Sequence, residues 1–458
     1  MTLPAGFAAA TADALPLSVV AAGGFAAWRT AQPAAVQAWA DAHGFDGRAG
    51  VLLLPGADGA PAAALLGVGS DRLDPYSYAH APSLLPARGF RLSHALPAEE
   101  LACLQLGWGL GSFRDTRWRD AARAPAELVV DALADAVAEQ LAACLCVRRL
   151  VNTPTEELGP EQFEAEARAL AEQHGATCTS VIGEALLAQN FPAIHAVGRA
   201  SHRAPRLVEM HWGDPAHLPV TLVGKGVCFD TGGLDLKNAS GMRHMKKDMG
   251  GAAHALALAG LLMATRVPVR LTVLLPLVEN AVGPNAYRPG EILRTRTGLR
   301  VEIENTDAEG RLVLGDALAY ACEGKPALLL DFATLTGAAR IALGPDLPAL
   351  FSNDDALAND WLAAAASTRD PLWRMPLWQP YLRYLDSRIA TLSNSGSTPM
   401  AGCISAALYL QRFVAEGQAW AHLDTYSWND SDRPGRPTGG EAQGLRSAYA
   451  MIRARAGG

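Results

Sequence analysis

Four acidic residues and two lysines have the types and spacing to do chemistry together. Lys225 closes an apolar run, and Asp230 follows in Val-Gly-Lys-Gly-Val-Cys-Phe-Asp-Thr-Gly-Gly. A charge at either place is costly to bury without a partner. The segment continues through Lys237 and Met245 to Asp248. A second segment, Asn305-Thr-Asp307-Ala-Glu309-Gly-Arg311, follows the strand-like run 300–304. Read as extended backbone, it turns Asp307 and Glu309 to the same side. Two carboxylates so placed raise each other's pKa unless a cation lies between them. Arg311 then opens a helix, whose free N–H groups favour anions. A third segment, Asp331-Phe-Ala-Thr334-Leu335-Thr-Gly337, is a strand-end loop leading into a helix. Each has a plain structural reading on its own. The first could be a buried Lys–Asp pair, the second an N-cap with Glu309 in the first turn, the third threonine turn chemistry. Together, Asp230, Asp248, Asp307 and Glu309 balance two divalent cations. Oxygen-rich sites favour magnesium, manganese or zinc over copper or iron–sulfur chemistry. Two such ions about 3.5–4 Å apart acidify a shared water and polarise a carbonyl. A lysine joins such a set only as the neutral amine.

Composition points to the same place. Of 39 basic residues only five are lysines, and four of these fall within 225–247. Lysine, unlike arginine, can give up its proton and act as a ligand or base. Lys246 and Lys247 have no such role and read as a solvated face. His244 and His254 read as surface or core residues. Cys228 lacks an identifiable partner base.

The elements that must position these residues alternate strand and helix after residue 150. Strands are expected at 194–198, 207–212, 220–223, 269–275, 327–332 and 419–423. Helices are expected at 160–174, 250–264, 311–322, 335–343 and 402–416. Such alternation predicts an α/β fold whose catalytic domain has a mostly parallel central sheet covered by helices. Function then belongs in loops at the carboxyl ends of its strands. Residues 1–125 read as a smaller N-terminal α/β domain, with strands at 51–54 and 63–68 and helices at 33–43 and 93–106. Residues 126–150 read as a connecting helix, part of a pattern over 125–150 that spans roughly 39 Å. The catalytic domain is then 151–458.

The 458 residues carry a net charge of −7, and 50% are hydrophobic. That is a globular composition, and nucleic acid is not an expected partner. Seven scattered cysteines without a CxxC pair suggest reduced thiols in a cytoplasmic protein. No Lys or Arg precedes Arg29, so no secretory signal is expected. No uncharged apolar run is long enough for a membrane span. There is no HExxH, G-x-S-x-G or Walker A sequence.

The sequence resembles the leucyl (cytosol) aminopeptidase family of two-metal exopeptidases. The resemblance lies in 223–233, 245–253, 305–314 and 331–337, above all in Asn-Thr-Asp-Ala-Glu-Gly-Arg-Leu, and runs over roughly 150–458. No specific likeness is apparent in the first 125 residues, and the N-terminal part is short for the family. The resemblance implies release of N-terminal residues, including leucine-like ones, from peptides by a metal-bridged hydroxide. It implies that Asp230 and Glu309 bridge two metals, that Lys225 and Asp248 complete one, and that Asp307 completes the other. It gives Lys237 to the scissile carbonyl and Arg311 to a bicarbonate acting as general base. Leu335 and Gly337 would hold substrate through their backbones, with Met245 and Thr334 lining the side-chain pocket. Manganese or zinc is expected first, with magnesium or cobalt as alternatives, in a homohexamer acting on peptides with a free N-terminus. Thr231 and Asn238 depart from the usual pattern without removing a ligand. Another two-metal hydrolase, such as a phosphoesterase, or a non-catalytic nucleic-acid-binding hexamer on the same fold remain alternatives.

Overall fold

The twelve-residue strand Val269–Asn280 is buried along most of its length. Leu218–Gly224 and then Gly226–Asp230 pair with it in parallel, while Arg206–Trp212 pairs antiparallel. The sheet runs in the order Trp373–Arg374, Ala349–Ser352, Trp420–Asp424, Leu328–Ala333, Leu218–Gly224, Val269–Asn280, Arg206–Trp212, Thr177–Ile182. Its centre is parallel, as expected where helices cover both faces. Gly250–Ala264 is apolar on every side and almost wholly buried, the pattern of a core helix. It shares its face with Pro160–His174 and Leu445–Arg455. On the other face, Pro192–Gly198, Glu309–Glu323 and Gly402–Gln411 pack their apolar residues against Val223, Leu274 and Leu329.

This computed structural model describes residues 3–9, 13–134 and 136–457. The chain divides into Met1–Leu145 with Ser431–Thr438, and Cys146–Asp430 with Gly439–Gly458. The first unit holds a six-stranded sheet ordered Phe7–Ala8, Glu127–Val129, Gly89–Leu92, Leu15–Val20, Pro61–Gly67, Gly50–Pro55. Its pairings are parallel except for the last, which is antiparallel. The mixed α/β class is the expected one. Among the described residues no helix is long and apolar enough to cross a membrane. All seven cysteines are free thiols.

Four expectations need correction. Residues 194–198, expected as a strand, lie in the helix Pro192–Gly198. A short apolar run does not distinguish the two by periodicity. Here Pro192 suits the first helical turn, and Asp316 Oδ2 accepts from Ala193 N at 2.7 Å. The pattern at 125–150 splits into the strand Glu127–Val129 and the helix Val137–Asn152, because Phe7–Ala8 and Gly89–Leu92 pair with the strand. The helix expected at 93–106 is Ala98–Ser112, starting after Pro97. The helix expected at 402–416 ends at Gln411.

Candidate metal centre and active site

Lys225 lies where Leu218–Gly224 gives way to Gly226–Asp230, and its N–H donates to Phe332 O at 2.9 Å. Its side chain passes Gly310, where a Cβ would stand 2.5 Å from Lys225 Cε. A glycine is therefore needed opposite it. The ammonium, on a residue only 2% exposed, reaches Asp248 Oδ2 at 2.8 Å, Glu309 Oε1 at 3.0 Å and Thr334 O at 3.0 Å. Asp230 ends the next strand. Its Oδ1 accepts from Gly232 N at 2.9 Å and Asn280 Nδ2 at 2.8 Å. The chain then turns through Gly232 at φ +88° and Gly233 at φ +67°, the left-handed region that glycine enters cheaply. That turn returns Lys237 to Asp230 Oδ2 at 2.8 Å and Asp307 Oδ1 at 2.5 Å.

Asp307 and Glu309 converge, though not through an extended strand. Residues 305–308 turn, Asn305 Oδ1 accepts from Asp307 N at 2.8 Å, and Glu309 is the first residue of its helix. The helix N-cap is Ala308, which makes no side-chain cap bond, so Asp307 does not cap it. Asn394 holds this turn through Glu304 N at 2.9 Å and Asn305 O at 2.7 Å. Arg311 Nη1 donates to Asn394 O at 2.8 Å, while its buried Nε has no hydrogen-bond partner. Thr334 Oγ1 donates to Asp248 Oδ1 at 2.8 Å. Met245 and Asp248 share one short turn of 3-10 helix. Leu335 follows Thr334 on the loop after Leu328–Ala333, and Gly337 is the first residue of the helix Gly337–Leu343, which starts two residues later than expected. All the candidate residues line one cavity of about 530 Å³.

The charges inside it are poised for cations. Burial and the Asp230 charge push Glu309 well above the usual carboxylate range, against the opposing pull of Lys225. The same two causes raise Asp307 to about 6. Burial alone would depress Lys225, but Asp248, Glu309 and Asp230 overrule it and hold its proton. Lys237 is likewise raised, chiefly by Asp230 against its burial. One oxygen each of Asp230, Asp307 and Glu309 lies within 4.8 Å of the others. Glu309 Oε2 is buried without a hydrogen-bond partner. Crowded hard oxygens, one of them unpaired, fit a divalent cation.

Three kinds of residue escaped the sequence reading. Asn280 orients Asp230, and Asp424 accepts from Leu335 N at 3.0 Å and Thr336 Oγ1 at 2.6 Å. A polar residue closing a buried strand was the available signal for both. Lys246 and Lys247 do not form the expected solvated face: Lys246 is half-buried with Nζ donating to Asn152 O, and Lys247 is the larger error. It is 7% exposed, lines the cavity beside Tyr426, and is depressed to about 8, first by burial. His254 is a core residue as expected, its Nδ1 2.7 Å from Gly250 O.

Residues 145–449 match the model of the cytosol aminopeptidase family catalytic domain. The chain belongs to the cytosol aminopeptidase family. Residues 15–131 also match the M17 aminopeptidase N-terminal domain, a relationship not apparent in the sequence by eye. A probable cytosol aminopeptidase of Syntrophotalea carbinolica is 43% identical over 303 residues, 65% of this chain. That stretch spans 61% of the relative's own length. The crystal structure of cytosol aminopeptidase from Coxiella burnetii is 44% identical, with a TM-score of 0.93 and 98% of each chain covered. The bottromycin maturation enzyme BotP in complex with Mn is 36% identical, with a TM-score of 0.87, covering 97% of this chain and 100% of that one. Cytosol aminopeptidases are thus similar to this chain across both of its units.

Proposed function

We propose that this protein is a metal-dependent aminopeptidase that releases N-terminal residues from peptides. The observation that carries the reading is the convergence of Asp230, Asp307 and Glu309, with an unpaired buried oxygen on Glu309. The donor set suits two divalent ions. Asp230 and Glu309 would bridge them, Lys225 and Asp248 would complete one, and Asp307 the other. When bound, such ions supply an acidified water and a Lewis-acid contact for a carbonyl.

The chain's own groups do the rest. Lys225 must release the proton its neighbours hold, so loading is coupled to proton release. Lys237 turns its ammonium from Asp230 and Asp307 toward the scissile carbonyl oxygen and steadies the negative charge developing there. Arg311 Nε would hold a bicarbonate, which would supply a general base that takes a proton from the reacting water and returns it to the leaving amine. Asp424 holds Leu335 and the Thr336 cap of the following helix, and from there the Leu335 and Gly337 backbones grip the substrate. Met245 and Thr334 flank its side chain. The catalytic part is assigned to residues 151–458, in a cytoplasmic homohexamer, with manganese or zinc ahead of magnesium or cobalt.

The test is hydrolysis of a panel of aminoacyl fluorogenic substrates after chelation and reloading with Mn, Zn, Co or Mg. Activity should vanish on chelation and return with at least one metal. Hydrolysis of an aryl phosphate but of no aminoacyl substrate would overturn the reading.

A further inference from the structure

The cavity has a second wall that the acidic cluster does not use. Lys247, 7% exposed, lines it, and its ammonium lies 5.0 Å from the centre of the Tyr426 ring. The Arg340 guanidinium lies 4.4 Å from the same centre, and Arg340 also lines the cavity. The ring is fixed by its hydroxyl, which donates to Asp430 Oδ1 at 2.9 Å. Neither cation has an ion-pair partner among the described residues. The acidic groups that influence Lys247 are Asp248 and Asp424, and both are engaged. Asp248 pairs with Lys225 and accepts from Thr334. Asp424 accepts from Leu335 N, Thr336 N and Thr336 Oγ1.

A lysine nine-tenths buried without a counter-ion is expensive to keep. Two cations flanking one aromatic ring also repel each other, and the ring faces offset only part of this. An anion brought in by the substrate would repay both costs. We propose that Lys247 and Arg340 form a subsite that takes a carboxylate of the peptide substrate. This rests on the aminopeptidase reading and adds a substrate class to it: peptides with a carboxylate close to the scissile bond. Two sources fit that chemistry, the side chain of an N-terminal Glu or Asp and the C-terminal carboxylate of a dipeptide. Lys247 shares its 3-10 turn with Met245, so the subsite adjoins the proposed side-chain pocket.

The experiment compares isosteric substrates on the metal-loaded enzyme. One arm takes the ratio of kcat/KM for Glu and Gln aminoacyl coumarins; the other takes Leu-Gly against Leu-Gly amide. A charge-assisted contact predicts a carboxylate preference of roughly ten- to hundredfold in one arm. Lys247→Met should bring that ratio down toward the neutral value. Arg340→Gln, on an exposed side chain, should move it the same way and decides the matter if the buried variant does not fold. Loss of preference in the first arm assigns the subsite to the N-terminal side chain, and in the second to the C-terminal carboxylate. Ratios near one in the wild type, or equal in wild type and variants, overturn the inference while leaving aminopeptidase activity intact. No cleavage of any aminoacyl substrate would instead overturn the aminopeptidase reading beneath it.

Discussion

The same unit buries charge in two different ways. Away from the cavity, Arg148 and Glu441 are buried together, with Arg148 Nη2 3.1 Å from each carboxylate oxygen and Asn429 Nδ2 donating to Oε2 at 2.7 Å. Asp331 is similarly complete, accepting from Trp420 Nε1 at 2.7 Å and lying 2.6 Å from His422 Nδ1. In the acidic cluster of the cavity, Asp230, Asp248, Asp307 and Glu309 share the ammonium groups of Lys225 and Lys237, and Glu309 retains an unpaired oxygen. Buried carboxylates whose two oxygens are both answered hold an arrangement. Crowded, undersatisfied carboxylates are costly to the fold and suit a site that binds something else.

The comparison can be broken by exchanging effects between the two regions. The largest expected effect is that of Glu309→Gln, which should abolish hydrolysis of aminoacyl substrates. In chelator, its urea melt should show no less stability than the wild type, because the change removes a carboxylate whose ionisation the site opposes. A loss beyond about 1 kcal/mol would mean that this cluster is structural like the others. Lys237→Ala comes next. It should cut turnover by roughly 10²–10³-fold, with metal content by elemental analysis near two per subunit under the proposed stoichiometry. Unchanged turnover would remove Lys237 from the mechanism.

The opposite pattern is expected of Arg148→Met. Stranding Glu441 should cost about 3–5 kcal/mol, measured by denaturant melts, while kcat/KM per folded molecule stays put. The smallest effect belongs to Asp316→Asn. Its two oxygens accept from Ala193 N at 2.7 Å and Arg296 N at 2.8 Å, and the amide can replace only one of them. A loss of about 1–3 kcal/mol should accompany weaker amide protection in the helix Pro192–Gly198. A catalytic defect without a stability loss would sharpen the boundary between the regions by moving Asp316 across it.

Much of the site was legible because its residues are concentrated in short segments whose types conflict with burial. Lys225 after an apolar run, and Asp307 and Glu309 two apart, are conspicuous without coordinates. The convergence of Asp307 and Glu309 was anticipated for an incorrect reason, since a turn and a helix start bring them together rather than a strand. Helices with long apolar patterns, such as Gly250–Ala264, were also legible. Short strands such as Leu218–Gly224 were legible too, but the short run 192–198 was not. Pro192–Gly198 depends on Asp316, more than a hundred residues away, to cap it.

By itself the sequence determined the chemical inventory: hard oxygen donors, two amines among them, and glycines at the turns that follow. It also determined the alternation that yields a mostly parallel sheet. Only the tertiary structure decided which charges are solvated. Lys246 and Lys247 are neighbours with the same side chain, yet Lys247 turns into the cavity against Tyr426 while Lys246 Nζ donates to Asn152 O at 2.5 Å. Burial is set by what the rest of the chain packs against a residue, and residue type and spacing do not carry that information.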